Sequence, residues 1–390
     1  MDNLGMRRRA ADPLRYSMKL AVLTHYITSY RISTFVALAN KVDLTLVLSS
    51  DLSDPKLHDT AIDVQTLPSL LIPRRRRHPS GFVETYKVHV PYGVKEALGR
   101  INPDAIHAHE FGIRTVAATF WKRRAGRPMV IHADLSEQTE QGRGGIRPAL
   151  RKAILRQTER VAVNGQSGAA YIESLGFDRD RIDFLPFATD VGIFSSVKPL
   201  FRRDGVRRLL YVGRLIELKG LEEFIEVAGA FLKTRPDLKV ELTLVGDGDR
   251  APLIEAVPRP DNLTLNMPGA VEYTRLGEIY AQADSFVFPT LGDTWGMVVN
   301  ESMAAGLPVL GSVLGQASVE LIEEGESGWL FDPQDRQSMS DALQRFLETP
   351  AERLPQMGEN ARKNAIAISP DNVAQRFVDS CQMAIEAQKR

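Results

Sequence analysis

The chain is almost without cysteine: Cys381 is the one thiol in 390 residues. That excludes a disulfide framework within the chain and fits a reducing cytosol. No uninterrupted apolar run reaches the roughly 18 residues that a membrane-spanning helix needs, so any membrane contact would be peripheral. The opening stretch MDNLGMRRRAADPLRYS is charged and lacks the apolar core of a signal peptide. It reads as a disordered leader over 1–17, and Met18 opens the first strand-like run. No G-x-G-x-x-G follows that run, which argues against a Rossmann dinucleotide site. Net charge is absent as well, with 49 basic and 49 acidic residues. The balance conceals an asymmetry. Residues 1–195 hold 28 Lys+Arg against 20 Asp+Glu, and residues 196–390 hold 21 against 29. A basic half points to a phosphorylated ligand, a membrane surface or nucleic acid, or to chance surface charge.

What is present is alternation. KLAVLTHY, VDLTLVLSS, AIHAHE, MVIHAD, RVAVNG and IDFLPF are short apolar runs separated by helical stretches such as RISTFVALAN. This is the βαβ rhythm of a parallel sheet. The rhythm pauses over ATDVGIFSSVKPLFRRDGVR, a polar stretch broken by Gly and Pro. It resumes with RLLYVGRL, GLEEFIEVAGAFLKTRP, VELTLVGDGD, LTLNMPG, SFVFPT, PVLGS and GWLFDP. Length and pattern together give two α/β domains. The tail after about residue 337 is helical. In open parallel sheets, ligands bind outside the carboxyl ends of the strands, so the loops there should hold the chemistry.

Three such loops stand out. In PTLGDTWGMVVNESMAAGLPV, a strand ends at Thr290 and a helix follows, with Asp293 or Thr294 as its N-cap and Glu301 about two turns in. The amides around Trp295, Gly296, Met297 and Val298 make a helix start suited to phosphate. Gly296 allows close approach of a ligand, and each carboxylate suits a diol. In YVGRLIELKG, Arg214 and Lys219 follow a strand and would suit a diphosphate. Each segment alone is equally consistent with a capped loop carrying solvated charges. LVGDGD contains Asp247 and Asp249, which could ligate a metal beside a sugar nucleotide, but a Gly/Asp turn after a strand is the preferred reading.

At this point the residues resemble a family. GRLIELKG matches the G-R-x(4)-K-G segment, and VFPT with DTWGMVVNESMAAGLPV matches the E-x-F-G-x-x-x-x-E-A-M-A-x-G-x-P-V segment, of the retaining family-4 glycosyltransferases. The likeness is close over 205–335 and loose over the rest. It implies a GT-B fold, two Rossmann-like α/β/α domains facing a cleft with a C-terminal helical tail. The boundaries would be an acceptor domain over 18–190, a linker over 191–204, a nucleotide-sugar domain over 205–368 and a helix over 369–390 returning to the first domain. The resemblance gives Arg214 and Lys219 the donor's diphosphate, Glu301 the ribose and Asp293 the donor sugar. Asp stands at position 293 where Glu is usual, and Trp-Gly where Phe-Gly is usual. MPGAVE resembles the loop beside the base, with Gly269 and Val271 near it. The family needs no metal at the Asp247 turn, so neither metal nor cofactor is expected.

In the basic half, the Gly-Gly pair usual in the first loop is missing. Tyr30 and Arg31 resemble a Tyr-Arg that part of the family carries near the acceptor; otherwise Arg31 simply begins a helix. His107 and His109, at i and i+2, share one side of a strand and lie beside Glu110. They could ligate a metal, or one of them faces the pocket. His132 ends the next strand, where the family often has a His touching the donor sugar. Arg74–Arg77 and the basic segment 143–160 (Arg143, Arg147, Arg151, Lys152, Arg156, Arg160) are strongly cationic. Ile146, Leu150 and Ile154 make an apolar stripe on that segment. It would lie on an anionic membrane, or pack its stripe into the core. Nucleic acid is not expected, since no stacking aromatics interleave these cations.

The expected activity is therefore transfer of a sugar from a nucleoside diphosphate sugar, a UDP-sugar first and GDP-mannose next, to an acceptor hydroxyl on a lipid-linked or cell-surface glycan precursor, with configuration retained. The expected location is cytoplasmic, peripheral on the inner face of the membrane. The alternatives are a nucleotide-sugar epimerase of the same fold and a non-catalytic sugar-nucleotide-binding subunit.

Overall fold

The computed structural model describes residues 18–77, 83–140, 145–189 and 191–389. The leader over 1–17 and the His78-Pro79 end of the arginine run lie outside the described residues. Nine strands belong to the first half: β1 (Lys19–Thr24), β2 (Asp43–Leu48), β3 (Asp63–Thr66), β4 (Ser69–Arg77), β5 (Val83–Pro91), β6 (Ala105–His109), β7 (Met129–Ala133), β8 (Arg160–Val163) and β9 (Ile182–Phe184). Six follow: β10 (Val206–Val212), β11 (Lys239–Val245), β12 (Leu263–Gly269), β13 (Ser285–Phe288), β14 (Val309–Ser312) and β15 (Gly328–Phe331).

The first sheet has the order β3-β2-β1-β6-β7-β8-β9 and the second β12-β11-β10-β13-β14-β15. β1 pairs in parallel with β2 and β6, and β10 with β11 and β13. In each sheet the chain runs outward from its first strand, then returns to that strand's other side. The reversal falls between β1 and β6, and again between β10 and β13. Such points leave a crevice at the carboxyl ends of the strands. β6, β7, β13 and β14 are buried at every residue. Strands covered on both faces read as continuous apolar runs, which is why they were visible in the sequence.

Helices supply the covering layers. Leu221–Lys233 buries Leu221, Phe224, Ile225, Ala228 and Leu232, one stripe at helical spacing. Glu222 and Glu223 in its first turn and Lys233 in its last suit the helix dipole. Its apolar face packs with β10, β11 and the helix Arg336–Glu348 around Trp329, Phe331 and Phe346. The tail continues as Leu354–Ile366 and Pro370–Lys389.

By compactness the chain forms two units: Met1–His132 with Gln157–Val161 and Ala374–Arg390, and Ala133–Arg156 with Ala162–Val373. The anticipated boundary near residue 190 falls between the sheets, since β9 ends at Phe184 and β10 begins at Val206. The compact units group Ala133–Arg156 with Ala162–Val373, and Ala374–Arg390 with the first sheet's unit. The anticipated linker is partly helical, with a short helix at Val191–Ser195.

Three local expectations change. Arg74–Arg77 are strand residues, the end of β4 in an antiparallel hairpin with β5. Of the basic segment, Arg143 lies outside the described residues; the described part is helical over Ile146–Leu155, Arg156 is the C-cap and Arg160 begins β8. Its stripe divides: Ile146 is 82% and Leu150 43% exposed, while Ile154 is buried. Arg151 is not a solvated cation. It is buried and donates to Glu140 Oε2 at 2.5 Å and to the Tyr171 hydroxyl at 2.6 Å.

Candidate functional site

The second unit brings two loops together at the β10/β13 reversal. After β10 the chain turns at Gly213, and a short 3-10 turn, Glu217–Lys219, leads to Gly220. After β13 comes the loop 289–296. The two are stitched at one main-chain carbonyl: Leu291 N donates to Leu218 O at 2.8 Å, and the Thr290 side-chain Oγ1 donates to the same oxygen at 3.1 Å. Gly220 permits the approach. Its φ is +62°, and a Cβ there would lie 2.4 Å from Pro289 O.

This stitching places Lys219 Nζ 2.7 Å from Asp293 Oδ2. The ammonium also sits 5.3 Å from the Phe288 ring centroid. Two of the residues singled out in the sequence therefore meet directly, from positions 74 residues apart. Arg214 lies in the same loop, exposed, and makes no ion pair with a described residue; its carbonyl accepts from the Tyr211 hydroxyl at 2.9 Å. One cation is neutralised and the other is free to meet an anion.

The helix after the loop starts later than its sequence indicates. It spans Met297–Ala304, with Gly296 as N-cap at φ +109°. Asp293 is not its cap; its Oδ1 accepts from Trp295 N at 3.2 Å, closing a local turn. The reason is the indole. Trp295 is buried and donates from Nε1 to Asn300 Oδ1 at 2.9 Å, which occupies the residues that would have formed another helical turn. A Cβ on Gly296 would meet the Phe288 ring at 2.8 Å, so only glycine fits there. The first-turn amides of Met297 and Val298 have no partner within the helix, as at any helix start.

Glu301 faces the other side of this region. It is 6% exposed, and Tyr273 donates its hydroxyl to Oε1 at 3.2 Å. Burial pushes the carboxyl up to about 7, and the bond from Tyr273 pulls it part of the way back. Tyr273 was not picked out from the sequence; it follows the MPGAVE loop by one position, and only the fold shows that it reaches Glu301. Gly269, at φ +81° and with open space around it, ends β12, and half-buried Val271 follows. Asp247 is spent on its neighbour: Oδ1 accepts from Gly248 N at 2.7 Å.

The first unit has a different cluster, at the β1/β6 reversal. Tyr30 and Arg31 lie in the first turn of the helix Ser29–Ala39. Arg31 Nη2 is 2.7 Å from His109 Nε2, and its guanidinium lies 5.2 Å from the Phe35 ring centroid. Tyr30 is partly exposed. His109 and His132 are register partners on β6 and β7, stacked with centroids 4.6 Å apart. His107 lies behind them against Phe377, at 3.8 Å. Burial, then Arg31, His132 and Arg114, hold His109 well below the ordinary histidine range. Among the described residues, His107, His109 and His132 form a group whose ligand atoms all lie within 4.8 Å of one another. Three imidazoles at this spacing could hold a divalent ion, but the Arg31 guanidinium against His109 sets a fixed cation where the metal charge would be.

Two family profiles match the sequence, Glycosyl transferase 4-like domain over residues 33–188 and Glycosyl transferases group 1 over residues 206–349. A D-inositol 3-phosphate glycosyltransferase from Paenarthrobacter aurescens is 29% identical over 306 residues, covering 72% of this chain and 73% of that protein. One of the same name from Corynebacterium urealyticum is 31% identical over 182 residues, 43% of this chain and 41% of that protein. Among solved structures, Anabaena HepE in complex with UDP superposes with a TM-score of 0.69 at 17% identity, over 94% of this chain and all of that one. The lipopolysaccharide outer core galactosyltransferase WaaB, in its apo form, also gives 0.69, at 13% identity over 93% and 99%.

Proposed function

From the premise that this chain is a family-4 glycosyltransferase of the GT-B fold, we propose that it transfers a sugar from a nucleoside diphosphate sugar to an acceptor hydroxyl with retention of configuration. The observation that carries this is the meeting of Lys219 with Asp293 at the β10/β13 reversal, beside an unpaired Arg214 and the helix start at Gly296. In this reading Lys219 and Arg214 take the donor's diphosphate, with the amides of Met297 and Val298. Asp293, released from Lys219 by the phosphates, turns to the donor sugar. Glu301 takes the ribose, and the loop at Gly269 and Val271 takes the base. Tyr30, Arg31 and His132 are assigned to the sugars on the first unit.

Rate enhancement then comes from stabilising charge on the departing diphosphate by fixed cations and helix amides, and from alignment of the acceptor. No metal is needed in this scheme, because two cations and a helix start stand where a metal would otherwise carry the charge. A UDP-sugar is the favoured donor, in keeping with the HepE complex. The acceptor is assigned as a phosphate-bearing polyol, in keeping with the names of the relatives; a lipid-linked glycan precursor is the second reading. No described helix is long and apolar enough to cross a membrane. Exposed Ile146 and Leu150, flanked by exposed Arg147 and Lys152, support peripheral contact with an anionic surface.

The test is thermal stabilisation by UDP, GDP, ADP, TDP and CMP, each with and without chelator. One diphosphate should stabilise by roughly 2.7 kcal/mol at a hundred times its Kd, with no response to chelator, and the effect should be smaller in Lys219→Ala. No stabilisation by any nucleotide would sink the proposal. Liposome flotation without preference for anionic lipid would remove the membrane part alone.

A further inference from the structure

One buried cation of the first unit forms no ion pair with any described residue. Arg114 opens the helix Ile113–Ala125, and it is 9% exposed. Its Nη1 donates to Ser49 Oγ at 3.1 Å and its Nη2 to the His109 carbonyl at 3.3 Å. Its Nε is enclosed and meets no acceptor. Glu110 attracts it through space, but no described carboxylate forms an ion pair with it, and burial lowers its pKa to about 10. A buried charge is ordinarily paired, because removing it from water is strongly unfavourable. Its position compounds this. A cation in the first turn faces the positive end of the helix dipole. That turn carries no acid, and Gly112 gives it no side-chain cap.

Two half-buried imidazoles stand at the same corner. His25 follows β1 and His89 lies on β5, with centroids 4.5 Å apart. His89 Nδ1 is 3.2 Å from the carbonyl of Ser49, the residue whose hydroxyl Arg114 holds. His25 Nδ1 is enclosed without a partner. Burial, then Arg114, then His89 bring His25 down to about 4. Three groups able to donate to an anion thus converge from β1, β5 and a helix start, at the carboxyl ends of β1, β2 and β6.

We propose that this corner is a phosphate-binding subsite, with Arg114 as its fixed charge and His25 and His89 as its outward donors, and that it receives the phosphate group of the acceptor. The word "acceptor" rests on the glycosyl-transfer reading; the anion site does not. A phosphate would neutralise Arg114, complete the uncapped helix start and accept from the imidazoles by charge-assisted bonds. The corner shares His109 with the other cluster: Arg114 holds its carbonyl, and Arg31 and His132 hold its ring.

The experiment is a titration of the full chain with inorganic phosphate, followed by NMR of the imidazole nitrogens, against chloride at equal ionic strength. The His25 and His89 resonances should shift saturably with phosphate and stay still with chloride. Parallel arms use glycerol 3-phosphate and vesicles containing phosphatidic acid; a response to the first identifies a soluble ester, and a response only to the second a lipid headgroup. Arg114→Gln should weaken phosphate at least about tenfold. Since that side chain is buried, the half-exposed pair His25→Ala/His89→Ala offers the same loss without touching the core, read by phosphate-induced thermal shift. No saturable shift with any of the three ligands, or unchanged binding in both variants, overturns the subsite. UDP stabilisation measured on the same samples separates the two ideas: UDP binding kept with phosphate binding absent removes the subsite alone, and the reverse removes the donor site alone.

Discussion

Lys219 in the second unit and Arg114 in the first are held in opposite ways. In the second, Lys219 is neutralised by Asp293 at 2.7 Å, and the loops that carry them are stitched at one main-chain carbonyl. In the first, Arg31 lies against His109 and Arg114 has no described carboxylate in ion-pair range. The second site is built to hold its geometry before a ligand arrives. At Arg114 the first holds a buried positive charge that forms no ion pair with a described residue, and an anionic ligand would relieve it. A paired site gains specificity from geometry, and an unpaired one gains affinity from charge.

The largest expected effect breaks the second site. Lys219→Ala removes a cation proposed to act on the leaving group and leaves Asp293 without its partner. It should lower kcat/KM by about 10²–10³, the loss typical of deleting one transition-state donor, with most of the change in kcat. A fall in affinity alone, with kcat kept, would show that Lys219 serves binding only.

The second expectation sharpens the contrast in rigidity. Gly220→Ala puts a methyl 2.4 Å from Pro289 O in a left-handed conformation and should cost a few kcal/mol of stability, together with loss of donor binding. Gly112→Ala in the first unit is at φ −81° and meets nothing within 4 Å. It should change stability by less than about 0.5 kcal/mol. Thermal or denaturant unfolding of both variants checks the pair; equal losses would erase the distinction.

The same contrast explains what could be read from the sequence. The parallel sheets announced themselves because β6, β7, β13 and β14 are buried throughout and so are written as unbroken apolar runs. The second site was legible because its residues lie in two compact segments with glycines at fixed offsets. The helix start was misplaced by three residues, since nothing local shows that Trp295 turns inward to Asn300. The first unit's corner was not legible. His25, Ser49, His89 and Arg114 come from four distant places and share no spacing. Each alone is an ordinary polar residue, and only the sheet order brings them together. Arg151 misled for a related reason: its charge pattern matches a solvated face, and its partners Glu140 and Tyr171 lie 11 and 20 residues away.

A third prediction uses Glu301. Burial raises its folded pKa from 4.5 to about 7. A carboxyl raised in this way contributes stability that is fully present below about 4.5 and is lost as pH rises through about 7. The apo protein should therefore lose of the order of 3 kcal/mol between pH 4.5 and 7.5 through this group, and Glu301→Gln should flatten that slope. Ligand binding should run the other way, because the ribose is bound by the carboxylate: donor KM should fall as pH rises through 7. A Glu301→Gln variant that keeps the wild-type slope of Tm against pH would assign the slope to other groups.

The smallest effect isolates Tyr273. Its hydroxyl donates to Glu301 at 3.2 Å and so favours the charged carboxyl. Tyr273→Phe keeps the ring, which packs edge-on against Phe194 with centroids 5.6 Å apart. The substitution therefore removes one hydrogen bond to a carboxylate and little packing, about 1–2 kcal/mol. That is roughly one pH unit. Donor KM should rise severalfold at pH 7 and return to the wild-type value about one unit higher, with kcat unchanged throughout. The recovery is the decisive part. A tyrosine that merely braced the loop would leave a KM defect of the same size at every pH, and a flat defect would remove Tyr273 from any electrostatic role at Glu301.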